Sequence, residues 1–298
     1  MLTGVQIVLA GGDARQLEII RRLTELDAAV TLMGFDRLDT PYSGVVKGEW
    51  TPEALSSAHA LLLPAVGTED DGTIAAIFTD QELKFTEAHA AAMPKTCKIY
   101  TGMAKPYLRR LCEKYHLGLV ELFERDDVAI YNSIPTAEGA LMMAIQNTDI
   151  TIHGSVCMVL GLGRTGLTMA RTLQGLGAKV LAGVRREESF ARSYEMGFEP
   201  FYIADIARQA GNIDLIFNTI PNMIVTAQVI AQLPLRAVII DLASKPGGTD
   251  FRFAEKRGIK ALLAPGLPGI VAPKTAGRII ANSLSQMILE DHKRGNTP

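Results

Sequence analysis

Residues 155–166 read SVCMVLGLGRTG, a short apolar run that stops at a glycine and restarts two glycines later as the amphipathic stretch LTMARTLQGLG. Few stretches of this length restrict a fold as tightly. Gly161, Gly163 and Gly166 fit G-x-G-x-x-G, and each glycine has its own reason. The first permits a tight turn, the second lets backbone approach a pyrophosphate, and the third lets the helix pack closely on the strand. The helix start then offers unpaired N–H groups and the positive end of its dipole to phosphates. The strand–turn–helix context favours a dinucleotide site over a vestigial turn.

Short apolar runs alternate with amphipathic stretches along almost the whole chain, as βα units on parallel sheets do. VQIVLA reads as a strand and ARQLEIIRRLTEL as a helix with Leu17, Ile20 and Leu23/Thr24 on one face. AVTLMGF, ALLLPA, KIYTG and LGLVELF are further strands, and the second half continues with VCMVLG, KVLAGV, LIFNTI, AVIIDLA and KALLAP. Two helices are expected to join the halves. NSIPTAEGALMMAIQNT carries Pro135 and Glu138 near its start, both favoured in a first helical turn. APKTAGRIIANSLSQMILEDHK sets Ala276, Ile279/Ile280, Ser283/Leu284 and Met287/Ile288 at helical spacing, and such a helix is expected to pack back on the first domain. The closing RGNTP is expected to fray.

At 298 residues the chain has room for two domains, and 48% hydrophobic with 21% charged residues suits a globular protein with real cores. A net charge of −2 without blocks of like charge gives no electrostatic case for nucleic acid or an anionic membrane. No apolar run is long enough to span a bilayer. The N-terminal MLTGVQIVLAGGD reads as a first strand, so export is not expected and a cytoplasmic location is. Cys97, Cys112 and Cys157 lack metal spacing and read as free buried thiols, and no metal is expected.

The dinucleotide turn can be tested further along. An acid at the end of the next strand would bind the ribose 2′-hydroxyl of NAD. Here VLAGVRREES puts Gly183 and Val184 in that place, followed by Arg185 and Arg186. A carboxylate would repel a 2′-phosphate, whereas paired guanidiniums bind one, so NADP is expected over NAD. The bland alternative is a pair of solvated arginines. The N-terminal turn AGGDARQ has Gly11 and Gly12 at the end of one strand and Asp36 at the end of the next, which leaves a second NAD site open, but the third glycine is absent. Asp13, Arg15 and Gln16 place polar side chains where phosphates would press, which suggests a smaller ligand. Arg15 would then meet a substrate carboxylate, or else cap its own loop.

Three loops should share the carboxyl edge of the second sheet: TIPNMI after its third strand, SKPGG after the strand ending at Asp241, and APGLPGIVAPKT after the last. Open α/β folds bind ligands at that edge. Thr219, Ile220, Pro221 and Ala243 to Lys245 are expected along the nicotinamide side, with Pro265 and Gly266 nearby. Gly161, Leu162, Gly163, Arg164, Thr165 and Gly166 are expected to hold the pyrophosphate. Lys245 and Lys274 are candidates to pair with carboxylates or phosphate, or are simply solvated. His59, His89, His116, His153 and His292 fall in helices or linkers, so the His–carboxylate pair of a 2-hydroxyacid dehydrogenase is not found.

Taken together, GGDARQ, TGMAKP, NSIPTAEGAL, GLGRTG, DLASKPGGTDF and APGLPGIVAPKTAG resemble the dipicolinate synthase A subunits of sporulating bacteria, over nearly the whole chain. More distantly the plan is similar to the formate and 2-hydroxyacid dehydrogenases. The resemblance implies a sporulation enzyme on a branch of the diaminopimelate and lysine pathway. It would use NADP⁺ to oxidise dihydrodipicolinate, or a hydrated precursor, to dipicolinate. A flavoprotein-like B subunit is implied as partner, and a homo-oligomer is expected. Aromatisation favours hydride loss, which fits the missing histidine.

A small dicarboxylate needs cations, and Arg15, Lys105, Lys245 and Lys274 offer them, with Thr275 beside the last. Asn132, Ser133, Thr136 and Glu138, at the expected helix start, contact substrate on this reading or merely cap the helix. Ser244, Lys245 and Glu138 are the candidate catalytic groups.

The expected architecture is α/β: two Rossmann-like, doubly wound parallel-sheet domains joined by long helices, with a ligand cleft between them. Residues 1–133, completed by the terminal helix 273–293, form the substrate domain. Residues 134–272 form the NADP domain with its leading hinge helix. Two other functions fit the residues: a nucleotide-binding scaffold whose partner carries the chemistry, and a 2-oxo acid reductase.

Overall fold

A computed structural model describes residues 1–39 and 42–295, without the side chains of Arg294 and Gly295. The last three residues of the tail expected to fray lie outside the described residues. The chain divides into two compact units: Met1–Val128 with Pro273–Pro298, and Ala129–Ala272.

In the first unit the strands are β1 (Gln6–Ala10), β2 (Ala29–Met33), β3 (Val45–Gly48), β4 (Ala60–Leu62), the short hairpin β5 (Thr73–Ile74) and β6 (Leu83–Lys84), β7 (Lys98–Thr101) and β8 (Gly118–Glu121). Its sheet runs β3-β2-β1-β4-β7-β8. In the second unit, β9 (Val156–Leu160), β10 (Lys179–Val184), β11 (Glu199–Tyr202), β12 (Leu215–Asn218), β13 (Val238–Asp241) and β14 (Lys260–Leu263) form a sheet in the order β11-β10-β9-β12-β13-β14. Both are the doubly wound parallel sheets expected, with helices on each face.

Each sheet is covered on both sides by its own unit. In the first, Ile19, Ile20 and Leu23 of the helix Arg15–Glu25 and Ile280, Leu284 and Ile288 of the helix Pro273–Gly295 cover one face. Leu108 and Leu111 of the helix Pro106–Tyr115 belong to the cluster on the other. In the second, Ala137, Ala140 and Ala144 of the helix Asp126–Asn147 join Met169 and Leu173 of the helix Arg164–Gly175. Each fully buried aliphatic side chain contributes about 1.5–3 kcal/mol, so these faces supply most of the stability. The two helices Arg15–Glu25 and Pro273–Gly295 approach closely: a Cβ on Gly277 would stand 2.4 Å from the Arg15 carbonyl. Beside that contact Glu18 accepts from both Arg21 and Arg278, at 2.8 and 2.9 Å.

Three expectations need correction. LIFNTI is the fourth strand of its sheet, because β11 (EPFY) precedes it. That strand carries Pro200 and sits at a sheet edge, where proline is tolerated but masks the strand pattern. The helix expected to start near Asn132 starts at Asp126, with Asp126 and Asp127 in its first turn, so Pro135 lies inside it. Pro135 is buried, and packing of the alanine-rich face outweighs the lost N–H bond. Third, APGLPGIVAPKT contains a short helix, Leu267–Val271, entered through Gly266 at φ +69°.

Trp50 stacks on His89 with ring centroids 4.6 Å apart, and the His89 Nδ1 accepts from the Thr86 amide that starts the helix Glu87–Ala92. Burial holds the His89 pKa below its ordinary value. The depressed folded pKa makes its contribution to stability complete above about pH 6.5, the unfolded value, and lost as pH falls through the folded one. The thermal unfolding midpoint of the wild type should therefore fall with acidification in that window, and His89→Gln should flatten the dependence. Gly277→Ala should cost about 1–3 kcal/mol through overpacking against the Arg15 backbone, read as a lower unfolding midpoint in urea.

Candidate functional site

The second sheet reverses its winding beside β9, and a crevice opens there outside the carboxyl ends of the strands. A cleft of about 540 Å³ occupies it, lined by Gly161, Leu162 and Gly163 after β9, Gly183 to Arg186 at the end of β10, and Thr219 to Pro221 after β12. Eight of the residues singled out from the sequence thus come together on one cleft: Gly161, Leu162, Gly163, Arg185, Arg186, Thr219, Ile220 and Pro221. Ser189 and Ile203 also line it. They were missed because each lies beyond the motif, and only the return of a neighbouring helix and strand brings it back.

The three glycines do what their positions ask. Gly161 has φ +84°. A Cβ on Gly166 would stand 1.8 Å from the Gly161 carbonyl, so helix and turn touch backbone to backbone. A Cβ on Gly163 would meet nothing within 4 Å, so the space beside it is open for a ligand. Arg164 and Thr165 begin the helix, with Gly163 as its N-cap. Arg185 is exposed and has no ion-pair partner among the described residues, whereas Arg186 pairs with Glu188 at 3.1 Å on the surface. A 2′-phosphate at the end of β10 would thus meet a guanidinium not already committed. The residues present fit such a group.

Ala243 is buried behind Ser244 and Lys245, which are exposed on the loop after β13. Pro265 and Gly266 are exposed after β14. None of these five lines the cleft.

The glycine turn of the first unit is closed. Its Gly12 amide donates to the Ala75 carbonyl at 2.7 Å and its carbonyl accepts from the Ile77 amide at 3.0 Å. Gln16, buried, fills the space over the turn: a Cβ on Gly12 would stand 2.5 Å from its Cγ. Asp36, past the next strand, accepts from Thr79 at 2.5 Å. Arg15 is forked onto Asp13 at 2.9 and 2.6 Å, which is the loop-capping contact. Asp13, Arg15 and Gln16 border a cavity of about 10 Å³ with Pro64 and Gly102, room for about one water.

The helix-start candidates change character because the helix begins earlier. Ser133 Oγ donates to the Ile130 carbonyl at 2.6 Å and lies 2.6 Å from Thr168 Oγ1. Thr136 Oγ1 donates to the Asn132 carbonyl at 2.8 Å. Both bond to the preceding turn, so neither caps free N–H groups. Glu138 is exposed mid-helix. Lys105 is paired with Glu69 and precedes the helix starting at Pro106, while Lys274 and Thr275 are exposed in the first turn of the terminal helix.

Nucleophilic thiol chemistry is not offered. Burial pushes Cys97 up to about 12 and Cys112 and Cys157 up to about 11, so all three stay protonated. Among the histidines, His59 accepts from the Gln6 amide at 3.0 Å, and His153 contacts the Leu176 carbonyl at 3.2 Å. No helix among the described residues is long and apolar enough to cross a membrane.

With that geometry in hand, comparison with known proteins is specific. The dipicolinate synthase A subunit of Bacillus subtilis (strain 168) is 50% identical over 290 residues, which are 97% of this chain and 98% of that protein. This chain belongs to the dipicolinate synthase A-subunit family. Residues 6–123 match the model of the N-terminal domain of dipicolinate synthase A subunits. Residues 151–244 match that of the acetohydroxy acid isomeroreductase NADPH-binding domain.

Crystal structures of family members agree throughout. The Bacillus halodurans A subunit has a TM-score of 0.94 at 53% identity, covering 96% of this chain and 98% of its own. The Bacillus subtilis protein has 0.95 at 49%, covering 99% of both. D-lactate dehydrogenase from Escherichia coli, at 15% identity, TM-score 0.66 and 98% of each chain, shares the fold alone.

The glycine geometry separates two substitutions. Gly166→Ala forces the turn off the helix and should lower the thermal midpoint by several degrees, whereas Gly163→Ala, into open space, should leave it unchanged in differential scanning calorimetry.

Proposed function

We propose that this chain is an NADP-dependent dehydrogenase that oxidises dihydrodipicolinate, or its hydrated precursor, to dipicolinate during sporulation. One observation carries the cofactor choice: β10 ends without a carboxylate and runs straight into Arg185, which is unpaired among the described residues and lines the cleft. Membership of the A-subunit family carries the substrate class. The matching NADPH-binding domain model supports the phosphorylated dinucleotide.

In this reading Gly161 to Gly166 and the start of the helix Arg164–Gly175 receive the pyrophosphate. Arg185, with Arg186, receives the 2′-phosphate. Thr219 to Pro221 and Ala243 to Lys245 flank the nicotinamide, with Pro265 and Gly266 beyond. When bound, NADP⁺ supplies the hydride acceptor. From dihydrodipicolinate the reaction removes a hydride from a ring carbon and a proton from the ring, and the product is aromatic; the hydrated precursor loses a water as well. Aromatisation drives the step, so the chain needs to position the ring more than to activate it.

Ser244 and Lys245 are our candidates to contact the reacting ring. Glu138 is an exposed carboxylate for the released proton. Arg15, Lys105, Lys245 and Lys274 are candidates for the two substrate carboxylates, with Asp13, Gln16, Asn132, Ser133, Thr136 and Thr275 around them. The partner is a B subunit, as the family's naming implies. A 2-oxo acid reductase fits less well, since His59, His89 and His153 are taken up in structural contacts.

Incubating the chain with fresh dihydrodipicolinate precursor and NADP⁺ should give NADPH and dipicolinate absorbance in step. If neither appears until the B subunit is added, the chemistry is shared or lies in the partner. Replacing Arg185 and Arg186 together by alanine should raise the NADP⁺ dissociation constant about tenfold or more and hardly move that of NAD⁺ in parallel titrations. Unchanged NADP⁺ affinity would remove the assignment.

A further inference from the structure

Two loops leave the carboxyl edge of the second sheet side by side, after β12 and after β13, and one buried carboxylate holds both. Asp241 has no exposed surface. Its Oδ1 accepts from Asn218 Nδ2 at 3.1 Å and from the Ala243 amide at 3.0 Å. Its Oδ2 accepts from the Gly248 amide at 2.8 Å and from Thr249 Oγ1 at 2.6 Å. Asn218, equally buried, closes the other loop by donating to the Ile220 carbonyl at 3.0 Å and accepting from the Ile220 amide at 3.1 Å. The loops also meet through backbone. A Cβ on Gly248 would stand 2.4 Å from the carbonyls of both Ile220 and Asn222, and the Gly248 carbonyl accepts from the Ile224 and Val225 amides at 2.9 Å.

A carboxylate is costly to bury, and an apolar pair of similar volume would hold two loops together at lower cost. What four directed hydrogen bonds add is registration. They set Thr219 to Pro221 against Ala243 to Gly248 with little freedom to slide. In the cofactor reading the adenosine and phosphates fall to the loops after β9 and β10, and the Asp241 side chain bonds to neither: its partners are Asn218, Ala243, Gly248 and Thr249. The glycine turn is held to the loop after β12 separately, through the Thr219 hydroxyl on the Leu160 and Gly161 carbonyls.

We infer that Asp241 is a positioning residue for the nicotinamide end of the dinucleotide, acting through Asn218 and Thr249, and that it leaves capture of the adenosine end unaffected. This rests on the cofactor reading given above. Hydride transfer depends on placement to a fraction of an ångström, so the loops that flank the ring are where such registration matters.

Two probes separate the ends: 2′,5′-ADP carries only the adenosine half, and NADPH adds the nicotinamide. The full chain and its variants are titrated with each by calorimetry, and the fluorescence of bound NADPH reports the ring's surroundings. Asp241→Asn keeps the shape but puts an amide donor among donors. Thr249→Val removes one donor and leaves the buried carboxylate in place, so it remains informative if Asp241→Asn does not fold.

Both variants should bind 2′,5′-ADP within about twofold of wild type, lose about fivefold or more in NADPH affinity, and lose about half of the bound-nicotinamide fluorescence enhancement. Thr249→Ser keeps the hydroxyl and should restore both the NADPH affinity and the fluorescence. Equal losses for both probes, or an unchanged nicotinamide signal in Thr249→Val, would overturn the inference, because the network then serves folding alone. A wild-type chain that binds neither probe would instead sink the cofactor reading, and this inference with it.

Discussion

Every neighbouring pair in the two six-stranded sheets is parallel, and no parallel pair can be joined by a tight turn. Each connection must cross a face of the sheet before the next strand begins. That requirement places helices on both faces, buries the strands on both sides, and lines up the outgoing loops along one edge. Where the winding reverses, beside β9, the connections leave toward opposite faces and the loops part. The cleft of about 540 Å³ is a consequence of that winding. Which ligand it accepts is a separate matter, decided by a handful of side chains at the strand ends.

Two of those strand ends are polar and buried. The interiors of β12 and β13 are wholly apolar, yet each finishes in a buried polar residue, Asn218 and Asp241. A buried polar group must find partners within the protein. Here the partners are each other and the backbone of the loops that follow. Loop shape is thereby tied to the sheet, not left to solvent. The same residues that end the hydrophobic runs also dictate where the following loops go.

Much of this was legible in the sequence. Central strands announce themselves as apolar runs, and the glycine turn could be read residue by residue, because Gly161 and Gly166 are required by backbone geometry that no other residue meets. Of the edge strands, β8 and β14 could be read, but β3 and β11 could not. In β3 Val46 is 64% exposed, and in β11 a proline interrupts the run, so neither shows the continuous apolar signal of a strand buried on both faces. The helix around Pro135 misled for a physical reason. Proline marks a first turn only when nothing stronger holds the helix, and here the alanines at 137, 140 and 144 pack against the core through it. The Asp241 network was hidden because its partners Gly248 and Thr249 become neighbours only once the loop has folded back.

The two units, wound alike, show that topology offers a binding edge without obliging its use for one ligand. In the second unit an open glycine faces the crevice. In the first, the corresponding turn has its Gly12 amide spent on the Ala75 carbonyl and its space taken by the Gln16 side chain. A pyrophosphate needs both the free N–H groups and the room that glycine leaves. The residue at position 16 therefore separates the two uses: where the second unit has glycine at the third place of its motif, letting helix and turn touch, the first sends a side chain back over the turn. What remains beside it is a cavity of about 10 Å³, bordered by Asp13 and Arg15 on one side and by Ile19, Leu62 and Ile280 among its apolar walls. Of the two glycine turns, the one after β9 alone keeps the room and the free N–H groups that a dinucleotide needs.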